Sequence, residues 1–200
     1  MPLTRRLGDK GASYKHGDGP MAKEAGMSGG RGANPWRIAG WSMAGVLLLL
    51  PLVAMRFTTE VNWTASDFAF AGIVFGSVGI LFELAVRMSR DPWYRAGVAA
   101  ALLASFLIVW ANAAVGMIGS EDNPYNLLFL GVIFLALLGA VAARFRARGM
   151  ALATAAAGVA QLCIALGGAA QDSLGAAFSA GFAAVWLVAA AAFRNAARGA

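Results

Sequence analysis

The sequence predicts an all-α membrane protein: a six-helix transmembrane bundle, N-in/C-in, with a disordered basic N-terminal tail. Three observations predict it. The chain is 60% apolar and only 13% charged, with a mean hydropathy of +0.67, whereas charged residues make up about a quarter of a soluble domain. Six apolar stretches of about 20 residues or more each suffice to cross roughly 30 Å of hydrocarbon at 1.5 Å per residue. The lysines and arginines fall in alternate gaps between those stretches.

Residues 1–34 are rich in Gly, Lys, Arg and Ser and carry no apolar period, which predicts disorder. The first apolar stretch begins too far from Met1 for a secretory signal, and no apolar region follows closely enough on Arg5-Arg6 for twin-arginine export. Met21 and Met27 are alternative starts. Residues 35–200 hold the spans, expected near Trp36–Met55, Ser66–Val86, Pro92–Ile118, Pro124–Ala143, Gly149–Ala169 and Leu174–Phe193. Backbone polar groups cannot go unpaired in lipid, so segments of this length and unbroken apolarity read as helices.

Local chemistry supports the starts. Asn34-Pro35, Asp91-Pro92 and Asn123-Pro124 each place a side-chain oxygen at an N-cap and proline at the first helical position. Thr64 with Asp67 is close to a capping box. Pro51 lies inside the first span, removes one ladder bond and is expected to kink it.

Basic counts set the orientation. The tail region through Arg37 carries seven lysines and arginines, the gap after span two carries three, the gap after span four three and the C-terminal end two. The opposite side holds Arg56 alone. Basic residues stay cytoplasmic, so both termini are expected there. Trp36, Trp41, Trp93 and Tyr94 suit an inner aromatic belt, and Trp63 and Tyr125 an outer one.

Composition excludes several function classes. The net charge of +6 does not imply nucleic acid, because the basic residues sit at span ends and in one tail, not on a stripe with interleaved aromatics. One cysteine, Cys163, rules out an internal disulfide and a thiolate cluster, and reads as a packing or lipid-facing residue. One histidine, His16, lies in the polar tail, so no imidazole is available for a metal, a haem or general-base work within the membrane. No cofactor and no metal is expected, and the loops are too short to carry a catalytic domain.

The polar residues within the spans are the functional candidates. Ala65, Ala69, Gly72, Gly76 and Gly79 recur at three and four along span two, a close-packing seam that ends at Glu83. Glu83 reads either as an intramembrane carboxylate that carries a proton or cation, or as the partner of Arg87 one turn on. In span three Ser105 and Asn112 share a face with Gly116 and Gly119; Asn112 suits an interhelical hydrogen bond or a cavity contact. Gln161, with Thr154 and Gly158 on its side, suits an interhelical bond. Glu60, Asn62, Asp67, Glu121 and Asp122, with Asp172, give the outer face an acidic character. They read as a cation-concentrating vestibule or as ordinary dipole compensation at helix starts.

The stretches Val61-Asn62-Trp63-Thr64 with Asp67-Phe68, Glu83-Leu84-Ala85-Val86-Arg87, and Trp110-Ala111-Asn112 running to Ile118-Gly119-Ser120-Glu121-Asp122-Asn123-Pro124 carry a resemblance. Together they resemble small uncharacterised polytopic inner-membrane proteins of Gram-negative bacteria. The resemblance covers roughly residues 60–150, with the Gly-Ser-Glu-Asp-Asn-Pro turn its most specific part. It implies a bacterial inner-membrane setting and transfers no functional residue.

The expected function, reached by subtraction, is a non-enzymatic structural or accessory module that packs against itself or another membrane protein. Its rival is a small-solute or ion (proton/cation) transporter or channel with Asn112 and Glu83 along the path. Transporters of that kind usually show paired helix breaks in both halves, and Pro51 has no counterpart.

Overall fold

The computed structural model describes residues 35–199. The chain divides into two compact units, residues 1–39 and 40–200, and of the first only the opening turn of a helix is described. The basic tail expected over 1–34, with His16 and the Asn34 cap, lies outside the described residues. Among the described residues there is no strand. Six helices follow one another: α1 Pro35–Ala54, α2 Ala65–Met88, α3 Pro92–Ala114, α4 Leu127–Ala142, α5 Ala147–Gly168 and α6 Ser173–Arg198. All six are long and apolar enough to cross a membrane, α4 with the 3-10 turn Pro124–Asn126 that precedes it. The chain is a multi-pass membrane protein.

The expected starts are built as the residue chemistry dictates. Asp91 accepts from the Tyr94 backbone N–H at 2.9 Å, ahead of Pro92. Thr64 and Asp67 close a full capping box: the Thr64 N–H donates to the Asp67 carboxylate at 2.7 Å, and the Asp67 N–H donates back to the Thr64 hydroxyl at 3.4 Å. Asp rather than Glu suffices here because the shorter side chain still reaches the cap N–H.

Two boundaries depart from expectation. Span three was expected to reach Ile118, but α3 ends at Ala114. Gly116 (φ +76°) and Gly119 (φ +72°) take the left-handed conformation that residues with a side chain resist. At Gly116 an added Cβ would sit 2.5 Å from the Ser120 carbonyl, so only glycine fits. Apolar residues continue through Met117 and Ile118 because that loop is buried, at 1% and 0% exposure, and apolarity alone does not separate a buried loop from a helix. Gly116 and Gly119 therefore do not continue the face of Ser105 and Asn112. At the other extreme α6 runs past Phe193 to Arg198. Its 26 residues span about 39 Å, more than the roughly 30 Å of hydrocarbon, so the last turns with Arg194 and Arg198 reach headgroup depth.

Within residues 40–200, α6 is the central rod. It packs against α5 on one side and α3 on the other; α4 lies on α5, and α2 on α3. Alanine and glycine permit the close approach: Ala157, Ala165 and Ala189 are 0% exposed, and the Phe193 ring lies where a side chain on Gly97 would stand, 2.9 Å from its Cβ position. Burial falls away along the chain towards its start. Half of the most apolar window of α6 is buried, against 11% for α2 and none for Arg37–Ala54.

The two ends of the helices differ in charge. The α2–α3 and α4–α5 connections with the helix turns that flank them carry Arg87, Arg90, Arg95, Arg144, Arg146 and Arg148, at what we call the basic end. There Arg95 ties the turn back by donating to Ser89 O (2.8 Å) and Val86 O (3.0 Å). Arg144 (φ +50°) and Phe145 (φ +57°) hold two successive left-handed conformations without being glycine. The Tyr94 hydroxyl donates to Phe145 O at 2.9 Å and fastens that turn to α3. The α1–α2, α3–α4 and α5–α6 connections form the opposite, acidic end.

Candidate functional site

Asn112 and Ser105, the polar residues singled out in span three, bond within their own helix. Asn112 is half-buried, and its Nδ2 donates to Ile108 O at 2.9 Å, one turn back on α3. Ser105 Oγ donates to Ala101 O at 2.9 Å in the same manner. Glu83, whose side chain is 20% exposed, accepts from Arg87 at 2.7 Å across one turn of α2. Along the small-residue face of α2, nothing among the described residues lies within 4 Å of a Cβ placed at Gly72 or Gly76, whereas at Gly79 the Trp41 ring approaches to 2.9 Å. A cleft of about 540 Å³ lies between α1, α2 and α3, walled by residues such as Leu50, Pro51, Trp63, Phe75 and Trp110. Glu83, Ser105 and Asn112 do not line it. Trp63, Phe75, Phe106 and Trp110 form a continuous aromatic cluster there, with ring centroids 5.3–6.1 Å apart.

The acidic residues occupy two separate places. Glu60 and Asn62 are exposed on the α1–α2 connection beside Asp67 in its capping box; Glu121 and Asp122 are exposed on the α3–α4 turn. No hydrogen bond or ion pair among the described residues joins the two groups. No cluster of three His, Cys, Asp or Glu side chains is placed to hold a metal, among the described residues.

A different polar set is drawn together at the acidic end, on the turn between α3 and α4 and the facing ends of α5 and α6. Asn126, 4% exposed, accepts the backbone N–H groups of Met117 (3.2 Å) and Ile118 (2.8 Å) and donates to Ser120 O at 2.7 Å. One amide thus satisfies three backbone groups of a loop that has no ladder of its own. Asn123 caps Tyr125 at 3.0 Å and donates to Ile118 O at 3.0 Å. Tyr125 donates to Ile164 O on α5 at 2.7 Å.

Asp172 is the second anchor. One carboxylate oxygen accepts the Gly175 N–H at 2.9 Å and so caps α6; the other accepts the Gly119 N–H at 3.0 Å and so holds the α3–α4 turn. These backbone donors, Gly175 first and Gly119 second, hold its pKa below the usual carboxylate value. An acid expected to lend charge to an outer face is therefore a tie between two connections.

Further in, Ser179 Oγ donates to Met117 O at 3.2 Å, and Gln161 Nε2 donates to Ser179 O at 3.1 Å. Gln161 and Ser179 are each 0% exposed. Thr154, also buried, turns its hydroxyl back to Met150 O at 2.8 Å. The interhelical bond expected of Gln161 is present. Asn126, Asp172 and Ser179 were not singled out as a set from sequence. A weak signal existed in the seven-residue spacing of Thr154 to Gln161 and of Ser179 to Trp186, which keeps each pair on one helix face.

No protein-family profile matches the chain, and neither the curated proteins nor the solved structures contain a match. The arrangement just described is therefore read on its own chemistry. It offers no nucleophile beside a base, and its polar atoms are directed mainly at backbone groups of irregular or facing segments.

Proposed function

We propose that the chain is a non-enzymatic structural or accessory module of a bacterial inner membrane, with both termini cytoplasmic, that associates through its α1–α2 flank with a second copy or another membrane protein. The observation that carries this reading is the gradient of burial. The helices α3 to α6 bury a core of their own, while among the described residues none of Arg37–Ala54 is buried and no atom lies within 4 Å of a Cβ placed at Gly72 or Gly76. Glycines spaced by four on an open helix face suit close contact with another helix. The orientation rests on the arginines and lysines, fifteen on one side against Arg56 on the other. The bacterial setting rests on the resemblance of residues 60–150.

A transporter reading has less support. Asn112 and Ser105 spend their donors on their own helix, and the cleft beside α1 is walled by carbon rather than by polar atoms.

The test is particle mass and contact mapping. The purified protein in mild detergent is expected to run as a discrete oligomer or with a co-purifying membrane protein. Cysteines introduced by Gly72→Cys or Gly76→Cys, in a Cys163→Ser background, are expected to cross-link in native membranes. Gly72→Leu with Gly76→Leu is expected to abolish association while thermal unfolding of the monomer stays unchanged. A strictly monomeric particle without those cross-links refutes the proposal.

A further inference from the structure

The seam between α5 and α6 carries two buried polar atoms of opposite character. Gln161 Oε1, an acceptor, and Trp186 Nε1, a donor, are buried without a hydrogen-bond partner among the described residues. Their residues are 0% and 1% exposed. The orientation of the Gln161 amide is set, because its Nε2 donates to Ser179 O at 3.1 Å and a flipped amide would place oxygen against oxygen. The Gln161 oxygen is therefore not the atom that faces the Ser179 carbonyl.

The antiparallel register sets Gln161 and Trp186 along one seam, across from neighbouring turns of the facing helix. Gln161 pairs with Ser179, and Gly158, one turn from Gln161, lies 3.2 Å from Trp186 Cβ by its own Cβ position. Ser179 and Trp186 share a face of α6, separated by about 10 Å of helix rise. Long side chains on a helix lean back towards its N-terminus, which carries the indole from the Trp186 backbone towards the Gln161–Ser179 pair. The ring packs in the same cluster as Met117, whose carbonyl accepts from Ser179.

A buried donor and a buried acceptor left unmet each bear the full loss of their hydration. Buried waters are found where two to four polar partners converge. We propose that one water molecule binds in this seam, accepting a hydrogen bond from Trp186 Nε1 and donating one to Gln161 Oε1. Its second proton has an acceptor in Ser179 Oγ, whose own proton is committed to Met117 O. The water extends the polar line from the Asn126 turn to the middle of α6 and pins the register of the two most alanine-rich helices.

The test uses the full chain in lipid nanodiscs with 15N-labelled tryptophan indoles. The Trp186 signal, one of six, is assigned by its loss in Trp186→Phe. A magnetisation-transfer cross-peak from water to that indole N–H is expected, and Gln161→Met is expected to remove it and shift the indole proton upfield. In a double-mutant cycle the two substitutions are expected to couple by about threefold or more in the folding equilibrium. A folded protein whose Trp186 indole shows no water cross-peak, or whose signal is indifferent to Gln161→Met, overturns the proposal. If Trp186→Phe does not fold, single Trp→Phe variants at the other five tryptophans assign the Trp186 signal by elimination, and its water cross-peak decides.

Discussion

Replacing Asn126 by alanine removes a side chain that serves three backbone groups at once. Two of these are the N–H groups of Met117 and Ile118, residues 1% and 0% exposed. The third, Ser120 O, belongs to an exposed residue and can be rehydrated. An unsatisfied buried donor costs about 1–3 kcal/mol, so two of them set an expected loss of about 2–6 kcal/mol. Asn112→Ala is the matched control. It removes one bond within α3, to Ile108 O, which already accepts a helical N–H, so the expected loss stays below the roughly 0.6 kcal/mol average for interhelical bonds in a bilayer. Unfolding titrated with SDS in mixed micelles and followed by tryptophan fluorescence measures both. Hydrogen exchange at Met117 and Ile118 supplies the local readout, since those amides are expected to lose protection in Asn126→Ala alone. Equal losses for the two variants would refute the assignment of Asn126 as the organiser of this loop.

Other outcomes follow from single features. Phe145→Gly, at φ +57°, is expected to stabilise by up to about 1.6 kcal/mol, the left-handed cost of about 1–2 kcal/mol less about 0.4–1 of unfolded-chain entropy; a destabilisation in the same SDS titration would show that the aromatic ring contributes more than the strain. Asp172 has a depressed pKa in the folded protein, so its contribution is present above the unfolded value near pH 4 and is lost as pH falls through the folded one. Acid unfolding of Asp172→Asn is therefore expected to be flatter than wild type below pH 4, and identical profiles would contradict the tie to Gly119 and Gly175. With Cys163→Ser in place, Glu121→Cys is expected to react with an impermeant thiol reagent from outside cells, and Ala147→Cys only after lysis; the reverse pattern would invert the proposed orientation.

Much of the architecture was legible because lipid imposes a one-dimensional rule. A segment that crosses hydrocarbon must be apolar and helical over about 20 residues, and its flanking chemistry is local. Asp91-Pro92, Thr64 with Asp67, and Glu83 with Arg87 all interact within four residues, and all are formed in the structure as their spacing dictates. Asn112 shows the limit. Its position inside an apolar span made it conspicuous, yet whether it turns to a neighbour or to its own helix depends on a rotamer that spacing does not encode.

Six helices, their approximate ends and the segregation of charge are all encoded locally, because each follows from residues close together in the chain. Packing between distant segments makes α6 the central rod and stops α3 at Ala114 so that Met117 and Ile118 form a buried loop. It also decided that Asp172 holds Gly119 from 53 residues away and that Asn126 and Ser179 complete the loop's hydrogen bonds. The physical reason is that a buried irregular backbone has no intrinsic partners. Its donors and acceptors must be met by whichever side chains the packing brings alongside, and that pairing is a property of helix register rather than of local pattern.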